Sequence, residues 1–192
     1  MILNKKIYKF SFFKKRNMAL IGKDIIEEMV KKFKIIHPFN PSLLDNDSYV
    51  LTVNEDVELK YLEHKNVLSH EIVFVPPEFV CHMTAKSKFG RMGLSFLNAA
   101  MAHSSWVGRL VLEVVNLNNE RMPIVVRKGE PFMHIEFVRR EGRPLPYEGG
   151  FMFQHMNEEE IDMYIEIMLK NWPNVFDEKF LRKAKEKALG KI

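Results

Sequence analysis

The sequence predicts a mainly β fold with a short N-terminal helix and two C-terminal helices. Three observations predict it. Between about residues 48 and 138, short β-branched and aliphatic runs alternate with turn signals, at the spacing of a β-barrel or sandwich. Ahead of them, one stretch repeats apolar residues at helical spacing. Behind them, two further helical stretches follow capping residues.

The first helix spans residues 22–33. Ile25, Ile26, Met29, Val30 and Phe33 share one face, with Glu27, Glu28, Lys31 and Lys32 opposite. His37-Pro38 and Asn40-Pro41 stop it. Predicted strands cover 49–53, 72–75, 79–84, 94–97, 110–115, 124–127 and 132–138. Pro76-Pro77, residues 90–93, Asn118-Asn119 and Lys128-Gly129 separate them. Residues 141–154 are rich in Gly and Pro and read as a mobile arm. Asn157 is an N-cap, with Glu158, Glu159 and Glu160 in the first turn, where the helix dipole favours acids. Ile161, Tyr164, Ile165, Met168 and Leu169 form a stripe suited to core or subunit packing. Asp177 caps a second helix running through Leu189. The organisation expected is therefore a basic tail (1–17), a β domain (18–140), an arm (141–156) and a helical extension (157–192).

Composition narrows the function. A chain of 192 residues with 46% hydrophobic content can bury one core. The single cysteine, Cys81, excludes an internal disulfide and a multi-cysteine zinc site, and suits the cytoplasm. The net charge of +4 suits a small polyanion. Much of the excess sits at the ends. Residues 1–17 hold six Lys/Arg and no acid, and Lys179 to Lys191 hold six Lys/Arg and one Glu. The near-neutral interior argues against nucleic acid as a partner. No run reaches membrane-spanning length and no apolar stretch at the start suits a signal peptide. Met18 offers an alternative start.

The most informative residue is Glu113, in the strand-like run Gly108 to Asn116. Alternation puts Leu110, Leu112 and Val114 on one face, and Val111, Glu113 and Val115 on the other. Either that second face is wet and exposes the valines, or it is covered and encloses the carboxylate. An enclosed carboxylate is a candidate general base or acid, or a paired structural group.

Three patterns accompany it. Lys86-Ser87-Lys88-Phe89-Gly90-Arg91-Met92-Gly93 gathers a hydroxyl, two ammonium groups and a guanidinium beside two glycines, a composition able to hold phosphate. Trp106-Val107-Gly108-Arg109 leads into the Glu113 strand, and Val126 to Phe132 forms a hairpin. His134-Ile135-Glu136 matches the H-x-E of zinc deaminases, but one cysteine cannot supply their P-C-x-x-C, and the pair suits a surface or interface.

Taken in order, these stretches resemble the dCTP deaminase branch of the trimeric dUTPase superfamily. That family carries R-S-S-L-(A/G)-R-x-G, I-D-P-G-W-x-G, V-L-E-x-x-N and L-R-P-G. Here K-S-K-F-G-R-M-G (86–93), A-H-S-S-W-V-G (102–108), V-L-E-V-V-N (111–116) and V-R-K-G (126–129) stand in their places. Pro146-Tyr147-Glu148-Gly149-Gly150 followed by Phe153-Gln154 is similar to the closing arm P-Y-x-G-K-Y-Q.

The resemblance implies a distorted dUTPase-like β-barrel (β-clip), assembled as a homotrimer with nucleotide sites between subunits. It implies hydrolytic deamination of dCTP to dUTP and ammonia. Glu113 would activate water against cytosine C4. Lys86, Ser87, Lys88 and Arg91 would hold the triphosphate, with Mg2+ bridging the phosphates rather than bound to protein ligands. Asn98 and Ala100 would read the base. His103, Tyr147 and Gln154 would complete the nucleotide site. The alternatives are dUTP hydrolysis, alone or coupled, and a homologue that binds nucleotide or protein without turnover. The aspartate that orients water in dUTP hydrolysis falls on His103 or its neighbour, and no carboxylate occurs from Met92 to Leu112.

Overall fold

The computed structural model describes residues 19–96 and 100–191. The basic tail, Met18 and Asn98 lie outside the described residues.

Helix α1 (Lys23–Phe33) buries Ile26, Met29, Val30 and Phe33, the face its periodicity predicts. Strands follow: β1 (Ile36–His37), β2 (Tyr49–Thr52), β3 (Val57–Leu59), β4 (His64–Phe74) and β5 (Phe79–Ala85). A short helix, α2 (Ser87–Arg91), leads to β6 (Leu94–Phe96), β7 (Met101–Ala102), β8 (Val107–Asn116), β9 (Ile124–Val126) and β10 (Pro131–Arg139). Helices α3 (Glu158–Asn171) and α4 (Glu178–Ala188) close the chain.

The strands form two four-stranded sheets, ordered β1-β4-β8-β6 and β2-β10-β5-β7, and a β3-β9 ribbon. All named pairings are antiparallel. The inner faces meet in one core, where Phe132 of β10 lies 4.7 Å from Phe89 and 5.8 Å from Phe96. The expected barrel is an open one: among the described residues the two sheets are not hydrogen-bonded into a closed cylinder, and a single bridge, Val53 to Ser69, links β4 to the end of β2.

The long β4–β8 pair is the spine. Leu110, Leu112 and Val114 are buried, and Val111, Glu113 and Val115 are half-exposed, so the alternation read from sequence holds. Opposite β8, residues 69–71 of β4 form a bulge. Ser69 replaces the missing ladder partner: its hydroxyl accepts from Leu110 N–H at 2.9 Å and donates to the Glu71 carbonyl at 2.7 Å. At the far end Asn116 is fully buried. Its carboxamide donates to the carbonyls of Leu59 and Met122, and its side-chain oxygen accepts from Asn118 N–H. In V-L-E-x-x-N, the spacing of three puts Glu and Asn on opposite faces, one outward and one a core clamp.

The C-terminal helices share this core. Asn157 and Glu160 form a reciprocal capping box at the start of α3. Tyr164 Oη donates to the Lys34 carbonyl at 2.7 Å, and Trp172 packs on Phe33 and Phe74. No helix among the described residues is long and apolar enough to cross a membrane.

Replacing Asn116 by Leu strands two carbonyls and one N–H in the core. We expect a loss of about 2–3 kcal/mol, read as a lower urea midpoint at unchanged slope.

Candidate functional site

The phosphate-type turn is built on one anchor. Phe89 is fully buried against Phe132, and this turns Ser87, Lys88 and Arg91 outward on α2, with Lys86 as N-cap. Lys86 N–H is tied to the Phe132 carbonyl. Gly93 ends the turn at φ +89°, where a Cβ would lie 2.7 Å from Asn118 Cα. Leu117 N–H bonds the Gly93 carbonyl, so the turn is stitched to the end of β8. Lys88 is engaged by Glu130, which lies in the β9–β10 hairpin. Burial works against the charged form of Glu130, but that ion pair and the Arg127 N–H outweigh it and hold the carboxyl below its usual range. The cradle left exposed is therefore Ser87 and Arg91, with Lys86 half-buried beside them.

Glu113 stands on the outer face of β8, level with Asn66 on β4. Leu68, Val111 and Val115 flank it, all half-exposed. Among the described residues the Glu113 side chain makes no hydrogen bond or ion pair. Of the two arrangements the sequence allows, the single chain has the wet one. The enclosed carboxylate is Glu71, which sequence reasoning missed. It is 2% exposed and accepts from Thr52 N–H and Thr52 Oγ1, both at 2.9 Å. Burial raises its pKa, against the lowering effect of those bonds. Its signal was hidden because it lies in the bulge, where alternation fails.

The loop before β8 carries His103. Ser105 sits at φ +66°, in the left-handed region. Its N–H bonds the Val75 carbonyl, and its hydroxyl bonds the Leu145 carbonyl at 2.6 Å. His103 stacks at 6.0 Å on Tyr147, and both line a cleft of about 400 Å³ with Val80, Arg140 and Glu148. These two predicted residues are brought together. Ala100 is exposed, its carbonyl accepting from Met83 N–H.

Gln154 is placed differently from the expected arm. From Phe151 on, the segment is docked on its own chain: Trp106 Nε1 donates to the Phe151 carbonyl, Phe153 is buried, and Gln154 pairs with Arg109 through its backbone and its side chain. Gly108 makes room, since a Cβ there would come within 3.1 Å of Gln154. Arg109 lies on the outer face of β8 with Glu113, four residues or about 13 Å along the strand. Its guanidinium forms a bidentate pair with Glu160 at 2.8 and 3.0 Å and donates to the His70 and His155 carbonyls. The pair holds Glu160 below the usual carboxylate range. Sequence reasoning missed both partners, whose pairing spans 51 residues.

Two further residues are inert to the site. Cys81 is buried and its thiol pushed up by desolvation. His134 shares a hydrogen bond with Ser48 and faces Asp45.

The arrangement is similar to known proteins. A dCTP deaminase-like family model matches residues 61–140. The dCTP deaminase of Thermococcus gammatolerans is 30% identical over 140 residues, covering 64% of this chain and 86% of that protein. That of Sulfurisphaera tokodaii is 26% identical over 131 residues, covering 67% of each. In fold, the 2'-deoxycytidine 5'-triphosphate deaminase of Agrobacterium tumefaciens superposes with a TM-score of 0.57 at 15% identity, over 81% of this chain and 54% of that one. The two open sheets, with their outward carboxylate and basic turn, share the fold of that deaminase. The chain belongs to the dCTP deaminase family.

The Glu71 shift has a measurable sign. Its folded pKa is raised, so the stability it contributes is full below the unfolded value near 4.5 and is lost as pH rises through the folded one. Glu71→Gln loses an acceptor but removes this titration. The stability advantage of wild type over Glu71→Gln is expected to shrink between pH 4 and pH 7 in urea unfolding.

Proposed function

We propose that this protein deaminates dCTP to dUTP and ammonia. The observation that carries the reading is Glu113 on the outward face of β8, in a chain of this family, with Ser87 and Arg91 exposed on a separate element. Glu113 accepts a proton from water as the water oxygen bonds to cytosine C4. It then returns that proton to the amino nitrogen as the C4–N bond breaks and ammonia leaves, and the proton remaining on the C4 oxygen passes to N3 to give the uracil carbonyl. Arg91 supplies a planar fork for phosphate oxygens, Ser87 a hydroxyl donor and Lys86 a point charge. Lys88 contributes less, being neutralised by Glu130. His103 and Tyr147 face the nucleotide from their shared cleft. Ala100 and Asn98 read the base through the segment preceding β8.

The reading includes a homotrimer. Among the described residues the Glu113, Ser87 and Arg91 side chains share no bonded partner within one chain, and in this reading a neighbouring copy supplies the second half of the site. Such a neighbour would also cover Leu68, Val111 and Val115. Magnesium fits as a substrate-borne ion. Glu130 is committed to Lys88, and the substrate phosphates offer the oxygen ligands that magnesium takes. Bound to the phosphates, the ion would neutralise their charge.

The test is incubation with magnesium and dCTP or dUTP, with products resolved by chromatography. Wild type is expected to form dUTP and ammonia from dCTP. Glu113→Gln is expected to lose at least about 100-fold in kcat at unchanged fold and oligomeric state. Full activity in Glu113→Gln would sink the reading. Pyrophosphate from dUTP would replace it with hydrolysis, and nucleotide affinity without product with a binding role.

A further inference from the structure

One polar side chain with no assigned role faces Glu113 across the sheet. Asn66 of β4 is the direct antiparallel partner of Glu113 on β8. Paired residues share a face, and their Cβ atoms lie about 4.5–5.5 Å apart. Both side chains point outward, Asn66 exposed and Glu113 half-exposed. Among the described residues neither side chain has a hydrogen-bond partner. The residues before and after them in the same rows are Leu68 beside Val111, and His64 and Ser95 beside Val115. The other charged group on this face of β8, Arg109, is committed to Glu160.

Covering such a face is costly for two polar groups without partners. A buried carboxylate or carboxamide left unbonded loses its hydration with nothing in return. The flanking aliphatics offer no donor. The nearest donor to the carboxylate that the β4–β8 ladder fixes in place is the Asn66 carboxamide, and asparagine reaches about as far as the gap requires.

We infer that Asn66 is the positioning residue for Glu113. Its Nδ2 donates to the carboxylate once nucleotide or a neighbouring copy covers the face, and fixes the oxygen that receives the proton from water. This rests on Glu113 being the general base. A proton acceptor with a free rotamer spends only part of its time aligned with water, so loss of the tether lowers kcat and leaves nucleotide binding alone.

The experiment combines kinetics with spectroscopy. Asn66→Leu is expected to lower kcat about tenfold, as loss of a hydrogen bond to a charged group implies, with KM within about twofold. Adding Asn66→Leu to Glu113→Gln is expected to cost nothing further, since the two act as one unit. Asn66→Gln, which keeps the donor, is expected to recover part of the rate. In the assembled protein, the Asn66 side-chain NH2 resonance, identified by its loss in Asn66→Leu, is expected to move in Glu113→Gln. A kcat for Asn66→Leu within twofold of wild type, or an unmoved resonance, overturns the pairing. If wild type releases no ammonia from dCTP yet the resonance moves, the contact stands and the deaminase reading falls. Asn66 is exposed, so the variant is expected to fold. Should it not, Asn66→Ser repeats the test with a shorter side chain.

Discussion

The structure depends on the antiparallel register between β4 and β8. Through it, one strand builds the core and presents the carboxylate proposed to act. Val67, Leu110, Leu112 and Val114 face inward, and Asn66, Leu68, Val111 and Glu113 face outward. A slip of one residue would drive Glu113 into the core and expose three aliphatics. Four devices resist it. Ser69 bonds Leu110 N–H in the bulge. Glu71 clamps the bulge to Thr52 of the other sheet. Asn116 locks the end of β8 to the β3–β9 ribbon region. Arg109 ties its beginning to α3. Three of these are polar groups inside or at the edge of an apolar core, where an incorrect register would leave them unbonded.

The site is assembled in pieces, each held by a residue that does no chemistry. Phe89 sinks so that Ser87 and Arg91 stay out. Ser105 adopts the left-handed turn that glycine adopts at no steric cost, with its hydroxyl bonded to Leu145. Lys88 and Glu130 satisfy one another, so the lysine adds no unmatched charge to the cradle.

What the sequence revealed tracks what is local. The helices at 23–33, 158–171 and 178–188 followed from periodicity and caps, because Asn157 and Asp177 act on N–H groups three residues away. The alternation around Glu113 was legible for the same reason. What it hid is distant or irregular. Residues 64–71 did not read as strand, because Lys65, Asn66 and His70 break the apolar pattern and the bulge breaks its phase. Glu71 and Arg109 looked like ordinary charges, since their partners lie 19 and 51 residues away. The arm looked free because Gly and Pro dominate it, whereas Phe153 and Met152 bury its second half. The outward face of β8 was left as a choice of two, and only the register with Asn66 says what stands beside the carboxylate.

The contact between α1 and α3 bears on how the chain comes off the ribosome. Tyr164 reaches Lys34 across 130 residues, and Trp172 reaches Glu78 across 94. Phe33 and Phe74, made early, wait for Trp172, made late. Contacts of such separation slow folding, because the loop between them must close before they reward it. The β sheets therefore emerge with an apolar flank uncovered. That flank is sealed only after the chain as far as Trp172 has been made, and the interval before it is when a chaperone has most to hold.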